Sequence, residues 1–331
     1  MKNLLFTLSL GLLNNENFVI NSQGNILPTL EKIINDYDFS YKILDLSQVE
    51  NTGEFIDEIT YDKNGLHIYE IVVLKNLDRI GDSFQRDLVR LFNGLKEYDS
   101  NLSRLEPKDH VVINGKKIFK SEYRCFIGIN TISETPVKLY KNLKECFWFS
   151  QFEQETNKDW KVFDNYRETL SLVRQNIDNV YMSPEILSYI TSLIIHTRNH
   201  RLNTINQIQT RLHTNTIEKI IKLSKSIVAW KNPNTKDLYL TPQICQLAFR
   251  KIGYWLVDWE NSQIFNSIQD KDLEKRRQLI INMLAGEWYG SEWKYVKQYM
   301  KDHESKFDEN SNTGFTNSII EDVIINVRPP I

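Results

Sequence analysis

The sequence predicts an α/β core on a parallel, helix-covered sheet, followed by an all-α lid and a helical C-terminal extension. Three observations carry this expectation. Residues 1–150 alternate apolar strand-like runs with stripes of helical period. The run His67–Leu74 (HIYEIVVL) is apolar nearly throughout, as in a strand buried on both faces. Beyond about residue 180 the strand-like runs give way to capped helical stripes. At 331 residues the chain has length for roughly two domains of about 150 residues.

The elements follow in order. Leu4–Leu13 is an apolar run behind Lys2, with Asn14-Asn15-Glu16-Asn17 after it. It reads as a first helix, because the small-residue cleavage site of a signal peptide is missing. Phe18–Ile20 is a short buried strand. Ile26, Leu30, Ile33, Ile34 and Tyr37 share a helical face. Tyr41–Leu46 and His67–Leu74 are strands, and Phe84, Leu88, Leu91, Leu95 and Tyr98 mark the next helix. Val111–Phe119 is a hairpin turning on Asn114-Gly115, and Arg124–Ile129 is a further buried strand. Residues 151–180 form a linker. Ser183-Pro184-Glu185 starts a lid helix, with a capping hydroxyl, a proline in the first turn and a carboxylate at the positive helix end. Ile217–Trp230 and Thr241–Trp259 are two more helices of a lid spanning 181–260. Residues 261–331 are a helical extension and tail. In the tail the alternation of Ile319, Val323, Ile325 and Val327 suggests an edge strand.

Composition narrows the function. The net charge of −2 gives no global basic footprint for nucleic acid. Twelve Gly and eight Pro make about 6% of the chain, half the usual share, which leaves little material for phosphate-cradling loops. The three cysteines are scattered with no CxxC pair, so neither a disulfide framework nor a zinc ribbon is expected. No run of about 20 apolar residues predicts a membrane span. The expected compartment is reducing, cytoplasmic or nuclear.

The order of elements and the string VYMSPEILSYITSLIIHTRNHRL resemble a MoxR-type AAA+ module. The string is similar to that family's first lid helix. IEKIIKLSKSIVAWKNPNTKDLYLTPQICQLAFRKI is similar to its second and to the start of its third. Within the superfamily, the HTRNHRL segment, Thr214-Asn215-Thr216, Tyr289-Gly290-Ser291 and the terminal Val327–Ile331 resemble the fungal maintenance-of-telomere-capping proteins. Some such relatives carry a magnesium-chelatase label, which is a fold analogy.

The resemblance implies an ATP site whose chemistry this chain lacks. A phosphate loop needs glycines, a lysine for the β- and γ-phosphates and a Ser or Thr for Mg²⁺. Here Asn21–Pro28 keeps only Gly24 at a family glycine. Leu27 stands at the lysine position and Pro28 at the threonine position. The Walker B strand ends in Lys75-Asn76 where two carboxylates belong; Asp78 lies beyond the strand end. Asn130 fits a sensor 1 residue. Cys146 occupies the arginine-finger place, and no Arg stands at the sensor 2 position between Thr214 and Ile221. The expectation is a non-enzyme, a pseudo-ATPase scaffold or adaptor for a protein partner. It carries no cofactor, and Gly24 and Asn130 mark a vestigial nucleotide site. Two alternatives stay open: a divergent ATPase or regulator using ATP and Mg²⁺, and a nucleic-acid-associated factor.

Other clusters have two readings each. Arg198, His200, Arg201, Arg211 and His213 form a basic patch for a partner or phosphate, or simply lid surface. His196 and His200, four apart on one helix, form half of a metal site or a favourable cationic helix end. Trp288 and Trp293 are partner anchors or packing for the extension.

Overall fold

The computed structural model describes residues 2–22, 24–63, 65–100, 110–113, 115–119, 121–131, 139–153, 164–200, 203, 211–235, 237–257 and 317–330. The chain divides into two compact units. One comprises Met1–Tyr181 with Lys222–Leu240, the other Met182–Ile221 with Thr241–Ile331.

The first unit holds strands β1 (Asn17–Ser22), β2 (Tyr41–Asp45), β3 (Thr60–Asp62), β4 (Leu66–Ile68), β5 (Ile71–Lys75), β6 (His110–Ile113), β7 (Lys116–Phe119), β8 (Cys125–Thr131) and β9 (Phe147–Glu153). Its helices are α1 (Lys2–Asn14), α2 (Leu27–Asp36), α3 (Thr52–Ile59), α4 (Asp82–Ser100), α5 (Lys141–Glu145) and α6 (Tyr166–Asn176). Five strands form one parallel sheet in the order β2-β5-β8-β1-β9. The sequence reason is the absence of alternation. Phe18–Ile20, Ile71–Leu74 and Phe147–Phe149 are continuous apolar runs, all fully buried, as strands covered on both faces require. Helix α1 has no polar face. Its Thr7 and Ser9 are buried and donate to the Asn3 and Leu5 carbonyls at 2.7 Å each, which satisfies the hydroxyls inside the helix.

Several expectations need correction. His67–Leu74 is not one strand. The Tyr69 N–H donates to the Ile59 carbonyl at 3.1 Å, and the chain leaves β4 in one sheet to enter β5 in the other. A second, four-stranded sheet, β3-β4-β7-β6, contains the hairpin. Residues 151–180 hold the end of β9 and α6, and α6 packs on α1. Residues 222–240, read as lid, sit with the first unit. There Lys222 donates to Glu16 at 3.1 Å, Asn14 donates to Ser226 at 2.8 Å, and Trp230 meets Tyr166 edge to face.

The second unit is helical among its described residues. Helices α7 (Pro184–Asn199), α9 (Pro242–Leu256) and α10 (Ser318–Asn326) pack together, and α8 (Thr216–Lys231) contributes residues to both units. Ser183 caps α7 as its sequence predicts, its hydroxyl accepting from the Ile186 N–H. The tail is a helix and not an edge strand. Ile319, Ile320, Val323 and Ile324 are all buried, the spacing of a helical face. Asn317 caps it and also donates to the Val257 carbonyl at 2.6 Å. Gly253 lets α9 and α10 meet, since a Cβ there lies 2.5 Å from Ile320 Cδ1. Arg250 grips Glu321 with two hydrogen bonds of 2.7 and 2.9 Å.

Candidate functional site

In an open parallel sheet, ligands bind beyond the carboxyl ends of the strands, where the strand order reverses. Here β1 is flanked by β8 and β9, while the chain leaving β1 runs through α2 to β2 at the far edge. The switch point is therefore the Ser22–Leu27 loop, the position the sequence assigns to the phosphate loop.

That loop is closed on itself. The Ser22 hydroxyl donates to the Gly24 carbonyl at 2.8 Å, and the Gly24 N–H donates back to Ser22 Oγ at 3.2 Å. The Leu27 N–H donates to Asn25 Oδ1 at 3.3 Å. Pro28 follows and has no N–H. The positive end of α2, which attracts anions through outward N–H groups, thus has its Leu27 amide turned toward Asn25 and lacks an amide at Pro28, while the Gly24 amide in the loop before it is turned toward Ser22.

On the neighbouring strands the polar groups also bond each other. Asn130 lies opposite Asn21 in the β1–β8 register and donates to Asn21 Oδ1 at 3.3 Å. It is 5% exposed, and its own Oδ1 has no hydrogen-bond partner among the described residues. Lys75 ends β5, and Asn76 adopts a left-handed conformation at φ 55°. Its amide donates to Asp45 Oδ1 at 2.8 Å, an atom that also accepts from the Ser47 N–H and hydroxyl. The bond from Asn76, then that from Ser47, holds the Asp45 carboxyl down to about 2. Asp45 is the residue that sequence reasoning missed at this end. Its signal was a carboxylate one position before the end of the strand expected over Tyr41–Leu46. Its geometry makes it a clamp on the turn after β5. Cys146 caps α5, buried, with its thiol on the Asn142 carbonyl at 3.3 Å. Burial pushes the Cys125 thiol far up, away from reactivity.

The basic patch of the second unit is dispersed. His200 is buried, with Nε2 3.3 Å from Asp322 Oδ2 on α10, so it leaves the patch and joins the packing. Arg198 donates to the Leu212 carbonyl at 2.7 Å and to the Thr214 hydroxyl at 3.4 Å, which ties the end of α7 to the loop before α8. Arg211, His213 and His196 are exposed. Arg201, Trp288 and Trp293 lie outside the described residues. Among the described residues no group of three or more His, Cys, Asp or Glu is placed to hold a metal ion. No helix among them is long and apolar enough to cross a membrane.

No family model matches the chain, and no curated protein matches it. Solved structures do. A proposed ATPase from Cytophaga hutchinsonii is similar at a TM-score of 0.57 and 12% identity, over 84% of this chain and 88% of that one. A full-length MCM homologue from Methanopyrus kandleri is similar at a TM-score of 0.47 and 13% identity, over 76% of this chain and 54% of that one. The first of these likenesses shows a shared fold, an α/β arrangement with a parallel sheet flanked by helices.

Proposed function

We propose that the chain is a non-catalytic AAA+-type scaffold that binds protein partners and no longer uses nucleotide. One observation carries this reading: at the switch point, the Gly24 and Leu27 amides are taken by Ser22 and Asn25, and Leu27 and Pro28 replace the lysine and hydroxyl that phosphate and Mg²⁺ need. Lys75 and Asn76 stand where two carboxylates would bind metal and polarise water. The resemblance to the telomere-capping group suggests the setting, a cytoplasmic or nuclear adaptor.

A second reading rests on Asn130. Its unpartnered oxygen at the strand ends favours a retained small ligand, and a divergent nucleotide-binding regulator is the form this takes. Calorimetric titration with Mg-ATP and with ADP separates the two. The scaffold reading expects no heat of binding at millimolar nucleotide. A saturable isotherm lost in Asn130→Ala establishes the second reading in its place.

A further inference from the structure

At the opposite, amino ends of the parallel strands the first unit has a cavity of about 490 Å³, within the range of ligand pockets. Ser40 precedes β2, Glu70 precedes β5 and Glu122 precedes β8, so strand starts converge on it. Its floor is a fixed ion pair. Arg167 donates to both oxygens of Glu70 at 2.9 and 3.0 Å, and Glu70 Oε2 accepts from the Ser40 N–H at 2.9 Å. Arg167 also donates to the Asp38 carbonyl and lies 4.3 Å over the Phe39 ring. This pair neutralises itself and is held in place. Asp38, Glu122 and Lys63, all exposed, also line the cavity, two acids against one base beyond the ion pair, and the Glu122 side chain is hydrogen-bonded to the Tyr123 hydroxyl.

One wall is aromatic. Tyr61, His67, Phe119 and His110 occupy directly paired positions across all four strands of the small sheet. Their rings follow one another at 5.9, 5.4 and 6.1 Å, and Tyr69 adds a ring 4.8 Å from Tyr61. The opposite face of this sheet carries the buried Ile68 and Ile118, so the row is the outer face. Because the rings lie against one another, their faces are largely occupied. They do not form an open platform for stacking nucleobases. What Tyr61 and His67 add to the cavity is a phenol oxygen and an imidazole nitrogen, both able to accept hydrogen bonds.

We propose that this cavity is the docking site for a basic side chain, an arginine above all, presented by a partner protein. Two carboxylates, a hydroxyl and an imidazole suit a cation that offers five N–H donors and no acceptor. The inference deepens the scaffold reading and rests on it for the existence of a protein partner. The test leaves the nucleotide face untouched, so a failure here and a failure of the scaffold reading, which nucleotide binding reports, are told apart.

The probe is the peptide acetyl-Gly-Gly-Arg-Gly-Gly-amide, titrated into the full chain with labelled Tyr and His rings and followed by NMR. Saturable shifts of Tyr61 and His67 are expected at about millimolar peptide, the range for a single anchoring side chain. The citrulline peptide, with the same shape and no charge, is expected to bind at least about fivefold more weakly, as is the double variant Asp38→Asn, Glu122→Gln. Asn accepts the left-handed backbone of residue 38 (φ 54°), and Glu122 is exposed, so the variant is expected to fold. If the variant fails to fold, the citrulline comparison on the native chain decides. No saturable ring shift, equal binding of the citrulline peptide, equal binding by the folded variant, or tighter binding of an oligothymidylate at the same rings would each overturn the proposal.

Discussion

The two ends of the parallel sheet have opposite characters. At the carboxyl ends, where open parallel sheets bind their ligands, polar atoms are spent on neighbours: Ser22 on Gly24, Asn25 on Leu27, Asn76 and Ser47 on Asp45. At the amino ends an ion pair is fixed as a floor, and further carboxylates and aromatic rings line an open cavity above it. The strands are about five residues long, so at about 3.3 Å per residue the two ends lie roughly 16 Å apart. One sheet can thus be closed at one end and carry an open cavity at the other. The fold alone does not say which end works.

The comparison can be broken most forcefully at Glu70. Glu70→Ala leaves Arg167 without its partner and the Ser40 N–H without its acceptor. The loss is expected to be about 2–3 kcal/mol in urea unfolding, below the cost of a fully buried pair because Arg167 is partly exposed. A loss under about 0.5 kcal/mol would mean that the floor of the cavity is not fixed. Next comes Gly65→Ala. Residue 65 has φ 129°, and a Cβ there falls 2.4 Å from Phe119 Cε2, inside the aromatic row. A destabilisation of about 1–3 kcal/mol is expected, with altered ring shifts for Phe119 and His67.

At the other end the effects are smaller. The bond from Asn76 lowers the Asp45 pKa in the folded state, so its stabilisation is complete above the ordinary 3.8 and is lost as pH falls toward about 2. Asn76→Gly keeps the left-handed turn and removes the amide. The Asp45 titration, read by carboxyl-carbon NMR, is expected to move up toward 3.8, and the variant to lose less stability than the native chain between pH 4 and pH 2. An unmoved titration would show that Ser47 alone holds the carboxylate. The smallest effect is reserved for Leu27→Lys with Pro28→Thr. Restoring these two side chains is expected to give no Mg-ATP binding at millimolar nucleotide, because Ser22 and Asn25 still hold the amides and residues 75 and 76 still lack carboxylates. Binding by this variant would reduce the difference between the two ends to two residues.

Much of the core was legible because strands buried on both faces leave continuous apolar runs, as Phe18–Ile20 and Ile71–Leu74 do. The run Phe147–Phe149 is equally apolar, yet it directly follows Cys146 at the arginine-finger place and falls on no expected strand; it is the start of β9. Local pattern also failed in the tail. Ile319 and Val323 are four apart on one helical face, Val327 caps the helix one turn on, and only the intervening Ile325 imitates a strand; it is exposed. The switch-point loop could be read because its residues are consecutive. The cavity could not, since Asp38, Glu70, Glu122 and Arg167 lie far apart in sequence and meet only where parallel strands begin. His200 looked like surface cation by its neighbours Arg198 and Arg201. Only the packing of α10 shows it facing Asp322.

The closed switch-point loop is tested most directly by the amide resonances of Gly24 and Leu27 while Mg-ADP is added to millimolar concentration. If Ser22 and Asn25 hold these groups as described, the resonances stay where they are throughout the titration. A saturable shift confined to them would show that the loop opens to phosphate and would contradict the scaffold reading.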